Sequence, residues 1–489
     1  MTKMLKELAR IDGDIPSELS EVKVESVTAD SRSCTPGSLF VALQGETVDG
    51  HDFVEQAKNN GAVGIIGNRK DIEAFGELPY LHSANPAYWL GASAHELEHN
   101  PTSDMFVVGV TGTNGKSSTV CLLQAILNAC ECPCAAMGTL GYDVGETLEA
   151  THTTPPSEDL ARLFRKAHDN GKTHAVMEVS SHALAQERVA GINFSGALFT
   201  NLTQDHLDFH GTMEDYLNEK LRLFHYVTNP DGVTVSNADD AASSKFKKAS
   251  AVPHYTFGIK GDCRITDFKM TSQESTFEIA SPWGSKKFRT HLLGNHNIAN
   301  VLGSITLAGG MGCSLEQIAA GVDSIKSVPG RFEQIKLGQE FFVVVDYAHT
   351  DDGLKNVLEA SRTITKKRIL VLFGCGGDRD KTKRPKMGQV AADFADFAIL
   401  TSDNPRTESP ERILMDAEVG LQRAGKKRDQ DYEIIEDRKM AIERILALAE
   451  PGDLVMISGK GHEDYQILNT GKIHFDDREV ATNYLESLR

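Results

Sequence analysis

The segment VVGVTGTNGKSS, residues 107–118, most constrains what this chain can fold into. Apolar residues run into a loop that contains Gly112 and Gly115, and a helical segment begins after it. A strand, a glycine loop and a helix in this order present successive backbone N–H groups and a helix N-terminus to an anion. Lys116 would lie along the β- and γ-phosphates of a nucleotide, and the Ser117 hydroxyl could bind magnesium. The segment therefore predicts a nucleotide-phosphate site.

The loop departs from the common phosphate-loop pattern at one position. Val110 stands five residues before Gly115, where that pattern has glycine, and Gly112 lies inside the loop instead. A glycine turn without a ligand is the simple alternative, but Lys-Ser after a clear strand favours phosphate binding. The candidate phosphate-contacting residues are Gly112, Thr113, Asn114, Gly115, Lys116, Ser117 and Ser118.

The length and the order of apolar runs predict several α/β domains. A chain of 489 residues is too long for one core and suggests roughly three domains. From residue 105, short apolar runs alternate with helical segments, as expected for a parallel sheet covered on both faces. Residues 251–292 instead suggest short antiparallel strands at an edge. The predicted fold is α/β with a small N-terminal α/β domain, a central P-loop domain on a doubly wound, mostly parallel sheet, and a C-terminal Rossmann-like domain, at 1–102, 103–329 and 330–489.

The charge and the apolar runs exclude some partners. A net charge of −18 argues against nucleic acid or an anionic membrane as the main partner. The first sixteen residues lack the apolar core of a signal peptide, and no apolar run approaches the ~18 residues of a membrane helix. We therefore expect a cytoplasmic protein that does not insert into a membrane. The cysteines of CECPC (130–134) lack zinc-site spacing and are expected to be reduced thiols.

Two further segments carry candidate metal ligands. Glu178 in MEVSSH (177–182) and His206 in NLTQDHLDFHG (201–211) each follow an apolar strand. Hard oxygen ligands with one imidazole suit magnesium near phosphates. Taken alone, a salt-bridged carboxylate and a core histidine are the simpler explanation. Beside a phosphate loop, the magnesium interpretation is favoured.

The loop sequence TGTNGKS resembles that of the Mur ligases, which build the peptide stem of peptidoglycan. Other segments match this family from about residue 27 to 466, including YLNEKLRLF (216–224), GNHNIAN (294–300), PGRFE (329–333) and VDYAHT (345–350). The resemblance implies bound ATP and Mg²⁺, and a Lys220 that carbon dioxide converts to a carbamate. It implies catalytic roles for Lys116, Glu178, His206 and Lys220, and metal binding by Ser117, Glu178, His206 and carbamylated Lys220.

The same resemblance implies the remaining ATP contacts, which are His296, Asn297, Asn300, Arg331 and Asp346. Arg331 and Asp346 would close onto ATP from the third domain. The polar side chains of GNHNIAN are also expected to cap the helix that follows.

The acceptor segments are DSR (30–32), GETVDGHDF (45–53), HTTP (152–155) and SSHALAQER (180–188). They match the uridine-diphosphate sugar and peptide-carboxylate segments of the subgroup that adds the third stem residue. The implied contacts are Ala29, Ser31, Glu46, Thr47, Val48, His152, Thr153, Thr154, Ser180, Gln186 and Arg188.

The segment TSDNPRTESP (401–410) carries the implied amino-acid specificity, because Asp-Asn-Pro-Arg goes with meso-diaminopimelate in that subgroup. The guanidinium of Arg406 matches a carboxylate at two points, and Asp403 and Asn404 can take an ammonium. A plain turn is the alternative, since Asn-Pro forms turns. The implied diaminopimelate contacts are Arg379, Asp403, Asn404, Pro405, Arg406, Gly459 and Glu463.

The resemblance thus implies a monomeric ATP-dependent ligase that adds meso-2,6-diaminopimelate to UDP-N-acetylmuramoyl-L-alanyl-D-glutamate through an acyl phosphate. The three domains would bind the UDP substrate, ATP and the amino acid, in chain order. A lysine-adding ligase of the same family is one alternative. Folylpolyglutamate synthetase would share the loop but lack DSR and VDGHDF. A P-loop ATPase or small-molecule kinase would explain the loop alone.

Overall fold

The computed structural model of the protein describes residues 3–8, 20–45, 48–70, 74–75 and 78–488. Two predicted acceptor contacts, Glu46 and Thr47, lie outside these residues. The described chain forms three successive units, each built on its own main sheet.

The first unit is a small, mostly parallel sheet with helices against it. Its elements are β1 (Lys3–Met4), α1 (Leu5–Leu8), β2 (Lys23–Val24), β3 (Ser26–Thr28), β4 (Ser38–Val41), α2 (Val54–Asn59), β5 (Ala62–Gly67), β6 (Ala74–Phe75), β7 (Leu78–His82) and α3 (Pro86–Leu97). The sheet order is β3-β4-β5-β7-β6, and β6 pairs antiparallel. β1 and β2 form a separate antiparallel pair. A turn at Pro101–Ser103 leads into the second unit.

The second unit carries the phosphate loop. Its elements are β8 (Phe106–Thr111), α4 (Lys116–Ala129), β9 (Cys134–Gly138), β10 (Gly141–Asp143), β11 (Thr147–Leu148), α5 (Ser157–Asp169), β12 (His174–Glu178), α6 (Ser181–Ala185), β13 (Phe194–Phe199), α7 (Leu207–His210), α8 (Met213–His225), β14 (Val233–Asn237), α9 (Ser243–Ala249), β15 (His254–Phe257), β16 (Arg264–Met270), β17 (Ser275–Ser281), β18 (Gly284–Thr290), α10 (Asn295–Gly310) and α11 (Leu315–Ser324). The main sheet runs β11-β10-β9-β12-β8-β13-β14-β15, and β16-β17-β18 form an antiparallel sheet.

The third unit is a second, mostly parallel sheet in the order β19-β20-β24-β21-β22-β23. All strands of this sheet lie in the described part of the chain. Among them, only the edge strand β19 pairs antiparallel with its neighbour. Its elements are β19 (Glu333–Ile335), β20 (Phe342–Asp346), α12 (Asp351–Ile364), β21 (Ile369–Phe373), α13 (Lys383–Phe394), β22 (Phe397–Leu400), α14 (Pro410–Arg423), β23 (Tyr432–Ile434), α15 (Arg438–Ala447), β24 (Leu454–Ser458), β25 (Tyr465–Leu468), β26 (Gly471–His474) and α16 (Asp477–Ser487).

The side chains of β8 show why this strand is central. Val108 and Val110 pack into the core that α4, α10 and α11 cover, whereas Val107 packs into the core that α5 and α8 cover. Because successive side chains of a strand point to opposite faces, a continuous apolar run can fill two cores at once. Parallel strands β8 and β12 also end at the same edge, where Glu178 lies beside Val110, one residue before the end of β8. That edge is where ligands bind in open α/β sheets.

The predicted α/β fold class is confirmed, with one correction at strand level. Residues 264–290 form the predicted antiparallel strands. The prediction was wrong for 254–257, because β15 pairs parallel with β14 at the edge of the main sheet. Apolar alternation at an edge strand does not reveal its direction, which depends on the connection that returns the chain. No helix within the described ranges is long and apolar enough to span a membrane.

A close approach of two helices gives a test of this packing. A Cβ added at Gly321 of α11 would overlap the main chain of α4 at Ile126. We expect Gly321→Ala to separate the helices and lower the thermal unfolding midpoint by several degrees, because overpacking costs roughly 1–3 kcal/mol. Differential scanning calorimetry measures the unfolding midpoint. Ala320→Ser, at an exposed position of the same helix, is the control. An unchanged midpoint in Gly321→Ala would contradict this close contact between α4 and α11.

Candidate active site

The phosphate loop joins the end of β8 to α4 at the carboxyl edge of the sheet. Gly112 and Gly115 have φ of 149° and 87°, values that favour glycine. A Cβ at Gly112 would overlap the Thr200 hydroxyl, and one at Gly115 would overlap the Asn300 side chain. The phosphate loop therefore packs so closely against the end of β13 and against α10 that these two positions have no room for a residue larger than glycine.

Lys116 folds back over the loop. Its Nζ donates to the carbonyl oxygens of Gly112 at 3.1 Å and Thr113 at 2.9 Å. Burial lowers the pKa of Lys116, and the nearby carboxylates Glu178 and Asp205 oppose that shift. The ammonium thus stands where phosphate oxygens would replace the loop carbonyls as its partners.

Glu178 and His206 line the same cavity of about 410 Å³ as Lys116. The Glu178 side chain is buried and its Oε1 accepts from the Thr139 N–H at 2.8 Å. Within the described part of the chain, no cationic side chain lies within ion-pair distance of it. Burial lowers the pKa of His206, so its imidazole is neutral and able to act as a ligand. The Asp205 carboxylate lies 3.3 Å from its Nε2.

Lys220 of α8 reaches the underside of the loop. Its Nζ donates to the Gly112 carbonyl at 2.9 Å and lies 4.3 Å from the centre of the Tyr216 ring. Burial and the neighbouring Lys116 hold the pKa of Lys220 well below its usual value. The side chain is fully buried and is not itself at the cavity wall.

The predicted ATP contacts of α10 line the far side of the cavity. The Nδ1 atom of His296 is buried without a hydrogen-bond partner among the described residues, and burial lowers the pKa of His296 to about 4. Asn297 donates to the Leu293 carbonyl at 2.9 Å, and Asn300 is buried beside it. The expected side-chain cap is wrong, because α10 begins after Gly294 with no side-chain cap.

The third unit reaches onto the loop. The Nη2 atom of Arg331 donates to the Ser117 Oγ at 3.0 Å, and Asn114 donates to the Asp352 carboxylate at 3.0 Å. Asp346 lies at the end of β20, where its carboxylate accepts the N–H groups of Phe332 and Ala348 at 2.6 and 2.7 Å. Burial raises the pKa of Asp346.

The predicted peptide contacts divide into two groups. Thr153 and Ser180 line the cavity. Thr154 is buried, its hydroxyl donates to the Glu178 carbonyl at 2.8 Å, and its own carbonyl accepts from Arg188 at 3.0 Å. Gln186 accepts a hydrogen bond from Arg188 at 2.7 Å. Burial lowers the pKa of His152, and the charge of the nearby Arg188 lowers it further.

The predicted sugar-nucleotide contacts of the first unit lie away from this cavity. The Ser31 hydroxyl donates to Gln56 at 2.7 Å, and the Ala29 N–H donates to Glu158 of the second unit at 3.4 Å. Val48 is 51% exposed. Ala29 thus contacts the second unit, and none of these three residues lines the cavity.

The predicted amino-acid contacts surround the ends of β22 and β24. Arg406 has φ of 54°, and its Nη1 donates to the Gly377 carbonyl at 2.8 Å. Burial and the neighbouring Arg379 lower the pKa of Arg406. Over the residues the structure describes, neither guanidinium has a carboxylate within ion-pair distance. Asp403, Glu463 and Asp378 act on Arg406 from further away and partly offset this lowering.

An acidic cluster follows directly. Asp403 and Asn404 are buried, with Pro405 behind them, and a Cβ at Gly459 would press on the Asp403 carboxylate. Asn404 donates to Glu463 Oε2 at 3.0 Å. Burial and the nearby Asp403 raise the pKa of Glu463.

Sequence reasoning missed several side chains that build the site. Lys460 is fully buried and donates to Asn404 Oδ1 at 2.9 Å, although it lies inside the matched segment SGKGHEDYQ. Tyr347 and Asp352 lie in or just after VDYAHT, which was the available signal for them. Arg438 pairs with Asp477 at 2.7 Å in a fully buried ion pair, and no local pattern marks it.

Comparison with known proteins agrees with this arrangement. Three family models match the chain: "Mur ligase family, catalytic domain" at 23–96, "Mur ligase middle domain" at 110–308 and "Mur ligase, glutamate ligase domain" at 330–461. A protein from Geobacillus thermodenitrificans named UDP-N-acetylmuramoyl-L-alanyl-D-glutamate–2,6-diaminopimelate ligase is 41% identical over 97% of each chain. A protein of the same name from Listeria monocytogenes serovar 1/2a is 41% identical over 99% of this chain and 98% of its own.

Solved structures extend the likeness to the whole fold. One with that same ligase name in its title has a TM-score of 0.70 and 32% identity, covering 100% of this chain and 99% of the other. The MurF ligase from Thermotoga maritima, solved in complex with ADP, has a TM-score of 0.61 at 18% identity and covers 95% and 97%. The second likeness shows the fold alone. Identity of 41% across nearly the full length establishes the family, and this chain belongs to the Mur ligases.

Proposed function

We propose that the protein is an ATP-dependent ligase that joins meso-2,6-diaminopimelate to UDP-N-acetylmuramoyl-L-alanyl-D-glutamate. The observation that carries the proposal is the pair of guanidiniums, Arg379 and Arg406, that have no carboxylate at ion-pair distance among the described residues and lie on the same unit that places Arg331 against the phosphate loop. This arrangement supports a carboxylate site and a nucleotide site that both involve the third unit. The relatives that share this ligase name support the substrate assignment.

The first chemical step would be phosphoryl transfer to the side-chain carboxylate of the D-glutamyl residue. A carboxylate oxygen bonds to the γ-phosphorus of ATP as the bond to ADP breaks, which leaves an acyl phosphate. Both reactants are anionic, so Lys116 and Arg331 would neutralise the charge that accumulates. Thr153 and Ser180 in the cavity, with Arg188 behind them, would orient the acceptor peptide.

The residues at the cavity fit a magnesium ion shared with the phosphates. Glu178 is a buried carboxylate with no cation at ion-pair distance among the described residues, His206 offers a neutral imidazole, and Ser117 offers a hydroxyl. Mg²⁺ is usually held by one or two protein groups and by substrate phosphates, which matches this sparse set. When bound, the ion would neutralise phosphate charge.

Lys220 fits the proposed carbamate. Its lowered pKa favours the neutral amine, the form that attacks carbon dioxide. The nitrogen lone pair forms the bond to carbon as one carbon–oxygen π bond opens onto oxygen, and one N–H proton passes to solvent, so the amine becomes a carbamate anion. That anion would offset Lys116 and add oxygen ligands for magnesium.

In the second step the amine of diaminopimelate attacks the acyl carbon, and the tetrahedral intermediate loses phosphate. Asp403, Asn404 and Glu463 would hold an ammonium, and Arg406 with Arg379 the distant carboxylate. No side-chain nucleophile is needed, because positioning and charge neutralisation suffice. We propose that 1–102, 103–329 and 330–489 bind the UDP substrate, ATP and the amino acid respectively.

The direct test is product analysis. Pure protein with ATP, Mg²⁺ and the UDP-linked dipeptide, offered diaminopimelate and lysine together, should release ADP and phosphate and yield the diaminopimelate tripeptide by mass spectrometry. A lysine product would reassign the amino acid. ADP formation that does not depend on the presence of either amino acid would overturn the ligase proposal.

Arg406→Gln tests the carboxylate site. Loss of a charge-assisted hydrogen-bond pair costs about 1.5–3 kcal/mol, so KM for diaminopimelate should rise roughly 10- to 100-fold. KM for ATP should stay unchanged in steady-state kinetics. Arg412→Gln, at an exposed position of α14, is the matched control. Equal diaminopimelate kinetics in both variants would remove Arg406 from the site.

Carbamylation of Lys220 predicts a spectroscopic signal. Protein equilibrated with carbon-13-labelled bicarbonate should show a carbamate resonance by NMR, and Lys220→Gln should lack it. Because the carbamate supplies negative charge, removal of carbon dioxide should reduce kcat reversibly. A resonance that persists in Lys220→Gln would place the modification elsewhere.

A further inference from the structure

Tyr347 contacts both a predicted ATP contact, Arg331, and a predicted diaminopimelate contact, Glu463. Its ring faces the Arg331 guanidinium, with 4.4 Å between Cζ and the ring centre. Its hydroxyl donates to Glu463 Oε1 at 3.4 Å. Burial raises the pKa of Tyr347, so the hydroxyl keeps its proton and acts as donor.

The Arg331 end of this contact leads to the phosphate loop. Arg331 Nη2 donates to the Ser117 hydroxyl at 3.0 Å, while Nε is buried without a partner in the described chain. The guanidinium is therefore oriented by one hydrogen bond and by the face of the Tyr347 ring, an attraction that strengthens when water is excluded. A shift of the ring would change where Arg331 meets a nucleotide.

The Glu463 end leads into the amino-acid pocket. Glu463 Oε2 accepts from Asn404 Nδ2 at 3.0 Å. The Asn404 amide cannot rotate freely, because its Oδ1 accepts from Lys460 Nζ and from the Ile467 N–H, both at 2.9 Å. Lys460 Nζ is further fixed by the Tyr465 carbonyl at 2.7 Å. Asn404 and Lys460 are thus held in place, so an ammonium that binds Glu463 acts on the tyrosines beside the carboxylate, which are Tyr465 and Tyr347, and of these Tyr347 also contacts Arg331.

We propose that Tyr347 is a positioning residue that couples diaminopimelate binding to nucleotide binding through Glu463 and Arg331. The inference rests on the proposed function, because it needs both ligands. With the amino acid bound, Glu463 and the Tyr347 hydroxyl settle in one arrangement, which fixes the ring under Arg331 and favours the nucleotide. Coupling between two sites is reciprocal, so the nucleotide must tighten diaminopimelate binding by the same factor.

The test measures that factor without turnover. Diaminopimelate is titrated by calorimetry into protein that holds the UDP-linked dipeptide, with and without Mg²⁺ and a non-hydrolysable ATP analogue. We expect the analogue to lower the diaminopimelate Kd by roughly fivefold or more in the unaltered protein. In Tyr347→Phe, which keeps the ring and loses the hydroxyl, the factor should fall below about twofold.

Tyr432→Phe is the matched control, because its hydroxyl donates to Glu418 in the same unit at 2.8 Å, away from the site. It should keep the full factor. An undiminished factor in Tyr347→Phe, or no factor in the unaltered protein, would overturn the coupling while leaving the ligase assignment intact. Absence of any diaminopimelate binding in the unaltered protein would instead overturn the proposed function, and the coupling with it.

Discussion

One loop atom organises the site: the carbonyl oxygen of Gly112 accepts hydrogen bonds from both Lys116, at 3.1 Å, and Lys220, at 2.9 Å. Two amines converge there out of solvent, and their mutual repulsion adds to burial in depressing the pKa of Lys220. Negative charge supplied to this place would relieve the repulsion between the two amines. A triphosphate on one lysine and a carbamate on the other would supply it, which links substrate binding and the lysine modification to one electrostatic need.

Side chains of the third unit contact the phosphate loop and its surroundings. Arg331 meets Ser117, Asp352 meets Asn114, and Lys386 donates to Gln204 at 2.7 Å. Because residues of two sheets form one cavity, the site exists only while the units face one another. Closure of this kind excludes water, which protects an acyl phosphate from hydrolysis and strengthens every charge interaction inside. The carboxyl edge of the β8 sheet and the β20 strand end are the surfaces that must meet.

The sequence predicted the fold class, and it singled out several residues that the structure brings to one cavity, because strong local signals carry them: a strand before glycines, charged residues after apolar runs, and short matched segments. It failed where partners are distant. Nothing near Arg438 predicts its buried pairing with Asp477, since that contact joins two helix starts 39 positions apart. The direction of β15 depends on a connection rather than on its own residues. Lys460 lies between two glycines with no local sign of burial, and only the fold shows that it is buried against Asn404.

The proposed amino-acid site separates charge by sign, and within that proposal this separation explains the rejection of lysine. Arg379 and Arg406 lack carboxylate partners in the described chain, while Asp403 and Glu463 share Lys460, which lies 3.5 Å from Glu463. The acidic side is therefore partly neutralised and can take one ammonium, whereas the basic side still needs an anion. Diaminopimelate supplies both at its distant end, but lysine supplies only the ammonium. Binding lysine would exclude water from two guanidiniums without pairing them, and that cost falls on the wrong substrate alone.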